Sequence, residues 1–75
     1  MEHRLQLAAN IRRLRKERGW SQETLAFEAG LHATEISRLE RGLREPRLGT
    51  MAQVAQALGV TVAALIVAPA SQPAA

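Results

Sequence analysis

A chain of 75 residues without a cysteine has room for one domain, no disulfide and no thiolate metal site, and too little mass to enclose a large catalytic cleft. A single core of this size yields roughly 3–5 kcal/mol unaided, which leaves self-association as the available staple. The formal net charge is only +3, but every charge lies at or before Arg47 and residues 48–75 carry none. The charged part suits a polyanion, and the uncharged part, rich in Ala, Val and Leu, suits an apolar partner.

In chain order, Leu5 to Arg18 holds neither Gly nor Pro, and Leu7, Ile11, Leu14 and Arg18 recur at helical spacing. This predicts a first amphipathic helix that stops at Gly19, with Arg12, Arg13 and Lys16 on its other faces. Ser21 is placed to cap a second helix, with Trp20 and Leu25 as a hydrophobic staple across the cap. Thr24 stands where a full capping box needs Glu, so the reciprocal half of that cap is absent. The second helix ends after about two turns at Ala29-Gly30.

The third helix is expected from Ala33 to Arg41, closed by Gly42, with Ile36 and Leu39 facing inward. Pro46 makes LREPR, residues 43–47, a basic loop. A fourth helix follows over Leu48 to Leu58, with Leu48, Met51, Ala55 and Leu58 as its inward stripe and Gly59 as its stop. Thr61 caps a short apolar fifth helix, Val62 to Val67, which Pro69 ends. The expected architecture is all-α, with five helices in residues 1–67 and a frayed tail over residues 68–75.

Between Gln22 and Arg41, Leu25, Ala26, Ala29, Gly30, Leu31, Ile36 and Leu39 supply what two steeply crossing helices need. Ala26 permits close approach, Gly30 the turn, and the larger residues fill the angle. The opposite face of the third helix carries Ala33, Thr34, Ser37, Arg38 and Arg41, small, hydroxylated and basic. Such a face can enter a groove of DNA and offer donors to bases and phosphates. Arg38 is the best candidate for a bidentate contact with guanine. Ala33 and Thr34 suit a thymine methyl, and Ser37 suits a base or a phosphate. Arg41, Arg44 and Arg47 suit the backbone, as does His32 in the loop, while Glu35 reads as a cap or a repulsive filter. Arg12, Arg13 and Lys16 rank below the loop arginines.

The phrases IRRLRKERGWSQETLA, EISRLERG and LGV resemble the XRE (Cro/cI-like) family of helix-turn-helix regulators, over residues 5–66. The resemblance implies a five-helix, lambda-repressor-like DNA-binding domain that docks as a two-fold dimer with the helix Ala33 to Arg41 in the major groove. It implies a structural ion pair between Arg15 and Glu40, which removes Arg15 from the DNA contacts, and a phosphate contact by Gln22. His32-Ala33-Thr34-Glu35 departs from the Gln or Asn often found where the family's reader helix starts, which leaves base preference open. In size and in its ERG-loop-Pro passage the chain resembles the controller proteins of restriction-modification systems.

Val54, Val62, Leu65, Ile66 and Val67 offer more apolar surface than the inward stripes require, and are the expected homodimer interface, the alternative being that some of them, Leu65 especially, complete the monomer core. Dimerisation would place two reader helices about 34–36 Å apart on a roughly palindromic operator. The competing class is a protein-interaction module, such as an antitoxin whose partner docks on the apolar end. No nucleophile–base constellation, paired carboxylates or phosphate-cradling glycine loop argues for an enzyme. His3 and His32 lie far apart without a ligand pattern, so no metal or other cofactor is expected. Without an apolar leader region or an apolar run near ~18 residues, the expected location is cytoplasmic and off the membrane.

Overall fold

The computed structural model describes residues 3–67. It holds five α-helices: α1 His3–Glu17, α2 Gln22–Ala29, α3 Ala33–Glu40, α4 Leu48–Leu58 and α5 Val62–Ile66. Among the described residues there is no strand. The expected all-α, five-helix architecture is the one observed. The expected tail, residues 68–75, lies outside the described residues.

Local chemistry sets most boundaries. Ser21 Oγ accepts from the Thr24 N–H at 3.0 Å, and Thr61 Oγ1 accepts from the Ala64 N–H at 3.1 Å. Each hydroxyl satisfies one of the orphan donors of a helix start. Gly30 at φ +73° reverses the chain between α2 and α3. That conformation lets the Leu31 N–H reach the Ala26 carbonyl at 2.8 Å, which closes the helix end. Gly42 is favoured by its φ of +69°, and a Cβ there would lie 2.7 Å from Leu5 Cδ2, the tip of a half-exposed side chain that can shift aside. The end of α3 therefore packs closely against the start of α1.

α1 packs on α3 and α5, α2 on α3 and α4, and α4 on α5. One core unites Leu7, Ile11 and Leu14 of α1 with Leu25, Ala26 and Ala29 of α2 and Ile36 and Leu39 of α3. Val54, Ala55, Leu58 and Leu65 complete it from α4 and α5. Trp20 packs half-buried against this cluster, which includes Leu25.

Two expected stripes require correction. On α4 the buried residues are Val54, Ala55 and Leu58, with Met51 partly covered, while Leu48 is 68% exposed. Leu48 is the first residue of the helix, with no preceding turn to cover it. On α1, Arg18 lies beyond the helix end and is exposed. Its guanidinium donates to the Leu14 carbonyl at 3.1 Å and to the Leu58 carbonyl, and sits 5.9 Å from the centre of the Trp20 ring. It thus ties the carboxyl ends of α1 and α4 together, where the helix dipoles favour a cation.

The sequence offers no sign of the polar contact that holds α5. Asn10, 1% exposed, donates from Nδ2 to the carbonyls of Leu65 at 2.7 Å and Val67 at 2.8 Å. α5 has only five residues, and no left-handed glycine satisfies its last carbonyls; Asn10 supplies the missing donors from α1. Asn10→Ala is expected to lower stability by about 2 kcal/mol, since it strands buried carbonyls as well as removing two hydrogen bonds. Urea unfolding with an unchanged m-value would measure that loss, and an unchanged midpoint would refute it.

Candidate nucleic-acid interface

α2, the Gly30 turn and α3 form two short helices that cross over the buried side chains of Leu25, Ala26, Ile36 and Leu39. Burial of Ile36 and Leu39 on one side of α3 turns Thr34, Arg38 and Arg41 outward, with Ala33 and Ser37 half-exposed between them. The outward face is therefore a hydroxyl, two guanidiniums and two small residues.

The angle between the helices is held by one ionic cluster. Glu40 at the end of α3 has a side chain only 1% exposed. Its Oε2 accepts from Arg15 Nε at 2.6 Å and its Oε1 from Arg15 Nη2 at 2.9 Å. Gln22 Nε2 donates to Oε1 at 3.1 Å, and Arg12 stands 3.9 Å from the same oxygen. Arg15 also donates to the Trp20 carbonyl at 2.8 Å, and Arg12 to the Glu40 carbonyl at 3.0 Å. α1, the start of α2 and the end of α3 meet at this one carboxylate. Burial alone would push the Glu40 carboxyl up; the hydrogen bonds from Arg15 and Gln22, with the positive charges of Arg15 and Arg12, outweigh it and hold the carboxyl below its ordinary value. The Glu40 hydrogen bond raises the Arg15 guanidinium in turn, against the opposing effect of burial.

Residues that sequence reasoning placed on DNA divide here. Gln22 uses one amide hydrogen inside the protein, on Glu40, instead of leaving its whole side chain to a phosphate. Arg41 curls back on α3, with Nε 3.4 Å from the Ser37 carbonyl. His32 is exposed at the start of α3, where its backbone N–H donates to Glu35 Oε1 at 2.9 Å. Glu35 is thus the reciprocal cap of the helix that carries Arg38. Arg38 lines a cavity of about 340 Å³ together with Arg44 and Arg47 from the loop, Thr50 from α4, and Glu35 and Glu45. Three arginines from two elements converge there, a juxtaposition that the sequence alone did not predict. On α1, Arg12 donates to the Glu40 carbonyl and Arg13 to Glu17 at 3.3 Å, so both guanidiniums have partners within the protein.

The expected dimer interface also changes. Val54 and Leu65 are 0% exposed and belong to the core, so neither has surface left for a second chain. Val62 is partly covered by the same core, whereas Ile66 and Val67 remain exposed. A long apolar residue that sequence reasoning passed over, Phe27 on the outer face of α2, is 82% exposed. Within the described residues no helix is long and apolar enough to cross a membrane.

A helix-turn-helix family model matches residues 11–65, which span α2, the turn, α3 and most of the supporting helices. The chain belongs to the XRE-type helix-turn-helix family. Its XRE-type relatives include the uncharacterized HTH-type transcriptional regulator y4dJ of Sinorhizobium fredii, 39% identical over 66 residues, 88% of this chain and 86% of that protein. Among solved structures, the restriction-modification controller protein C.AhdI of Aeromonas hydrophila aligns with a TM-score of 0.79 at 35% identity, covering 83% of this chain and 94% of its own. SinR, a master regulator for biofilm formation crystallised in complex with DNA, aligns with a TM-score of 0.78 at 32% identity, covering 81% and 98%. The XRE-type fold and these relatives make the chain a helix-turn-helix transcriptional regulator, related to the controller proteins. Nothing in that family assignment calls for catalysis.

Proposed function

We propose that the chain is a sequence-specific regulator that binds a roughly palindromic operator as a homodimer, in the manner of a restriction-modification controller protein. α3 enters the major groove. Ala33, Thr34, Ser37 and Arg38 face base edges, and Gln22, His32, Arg41, Arg44 and Arg47 hold the backbone. The observation that carries this reading is the convergence of Arg38, Arg44 and Arg47 beside the outward face of α3. Among the described residues none of the three guanidiniums makes a hydrogen bond or an ion pair. Unpaired guanidiniums at the edge of a narrow helix are what a phosphate ladder and a guanine edge recruit. Selection from a randomised duplex pool, followed by mobility shifts across salt, tests it. One site should emerge, and its affinity should fall steeply as counterions are released. Equal affinity for all sequences would sink the operator reading.

Ile66 and Val67, exposed at the end of α5 beside the half-covered Val62, are the proposed seam between two copies. Replacing Ile66 with Asp should yield a folded monomer by sedimentation velocity, because a carboxylate in an apolar seam is left unpaired. A dimer that survives Ile66→Asp removes α5 from the interface. Retention of a monomer that co-purifies with a partner protein would instead favour the antitoxin-type reading of the same apolar end.

A further inference from the structure

We infer that Glu35 selects cytosine, at the base pair Arg38 reads or the one beside it; the inference rests on the DNA-reading role proposed for α3. Three observations carry it. The carboxylate is held in place, since its Oε1 accepts from the His32 N–H at 2.9 Å, which leaves Oε2 as an acceptor that cannot donate. It lines the same cavity as Arg38, three residues along one helix, so the two groups lie about 60° apart around the axis and roughly one base-pair step apart along it. Among the described residues no ion pair joins it to Arg38, Arg44 or Arg47, so no guanidinium occupies its second oxygen.

A fixed carboxylate with an open acceptor oxygen, at the edge of a surface that meets a polyanion, lowers affinity unless a base supplies a hydrogen. In the major groove only the exocyclic amines of cytosine and adenine do so; guanine O6 and N7 and thymine O4 present lone pairs and are repelled. Adenine carries the N7 acceptor beside its amine, which a carboxylate meets with repulsion, whereas cytosine offers N4–H without a neighbouring acceptor on its own edge. Glu35 therefore repels guanine and thymine, disfavours adenine and accepts cytosine, a discrimination made by repulsion as much as by attraction. Arg38, a pure donor, selects guanine by the opposite complementarity.

The test uses the selected duplex and variants carrying each base at each position, titrated by fluorescence anisotropy with wild-type protein and Glu35→Gln. The Gln variant keeps an acceptor oxygen for the His32 N–H, and its helical circular dichroism and melting temperature should match wild type. Wild type should prefer cytosine at one position by about tenfold or more. Glu35→Gln should lose that preference at that position alone and there favour a base that presents an acceptor over cytosine, because with its oxygen held by the His32 N–H the amide turns its NH2, a donor, toward the base. A uniform gain in affinity on every duplex, with all base preferences intact, would show bulk repulsion and overturn the assignment. A melting temperature lowered without any change in base preference would reduce Glu35 to a cap and overturn it as well. Failure of the reading beneath it looks different: wild type itself would then select no site.

Discussion

Glu40→Ala should lower stability by about 3–5 kcal/mol, because it leaves the Arg15 guanidinium, its side chain only 12% exposed, beside α3 without its ionic partner. A domain of this size has roughly that much stability in total, so the variant should be largely unfolded at 25 °C, with weak helical circular dichroism and no cooperative melt. Gln22 loses its acceptor and Arg12 its ionic neighbour in the same step. Replacing Arg15 and Glu40 together with Met and Leu should recover most of the loss, since the charge and the site that needed it disappear together. Near-wild-type stability of Glu40→Ala alone would mean that water reaches Arg15 and that the cluster is not buried in solution. The same carboxylate sets an acid limit. Its pKa in the folded chain lies below its unfolded value, so its contribution is complete above the unfolded value and is lost as pH falls through the folded one. Stability measured by urea titration should decline through the acid range below the ordinary glutamate pKa, and the doubly apolar variant should lose that part of the slope.

Arg38→Ala should leave the fold intact and erase the preference for guanine at one operator position. Its side chain is exposed and makes no hydrogen bond that the fold requires, so truncation removes a reader without opening the core. Loss of a bidentate guanine contact corresponds to about 1–3 kcal/mol of discrimination, up to a hundredfold or so. Arg44→Ala and Arg47→Ala give the contrast: each should weaken all duplexes alike and reduce the salt slope by about one. Uniform weakening by Arg38→Ala would place its guanidinium on a phosphate and leave the base contacts to Thr34 and Ser37.

What could be read from the residues alone was what acts over a few positions. Ser21 three residues before Thr24, Thr61 three before Ala64, and a glycine after each of α2 and α4 mark boundaries by contacts within a single turn. The small and apolar residues around Gly30 identify the crossing of α2 and α3 because the turn itself demands them. The phase of α4 was less accessible. A stripe through Leu48 and one through Val54 both have helical spacing, and only the position of α2 and α5 against it decides that Val54 is inside. Asn10 was beyond reach, since its partners lie 55 and 57 residues away and a single Asn has no pattern. The site shows the same limit. The basic residues of α3 and of the loop were each visible, but their convergence with Glu35 and Thr50 on one cavity is a product of how α4 follows Pro46. The apolar excess at the uncharged end was visible too, yet its division into core and surface needed the packing of α5 on α1.

That packing has a further consequence. Five residues are too few for a helix to persist by its own hydrogen bonds, so α5 borrows its order from α1 through Asn10. α1 and α5 are then one cooperative unit: amide hydrogens of α5 should exchange only when α1 lets go. A regulator that pairs through α5 would accordingly melt at a temperature that climbs with its own concentration, because holding two copies together and holding each copy folded become a single equilibrium.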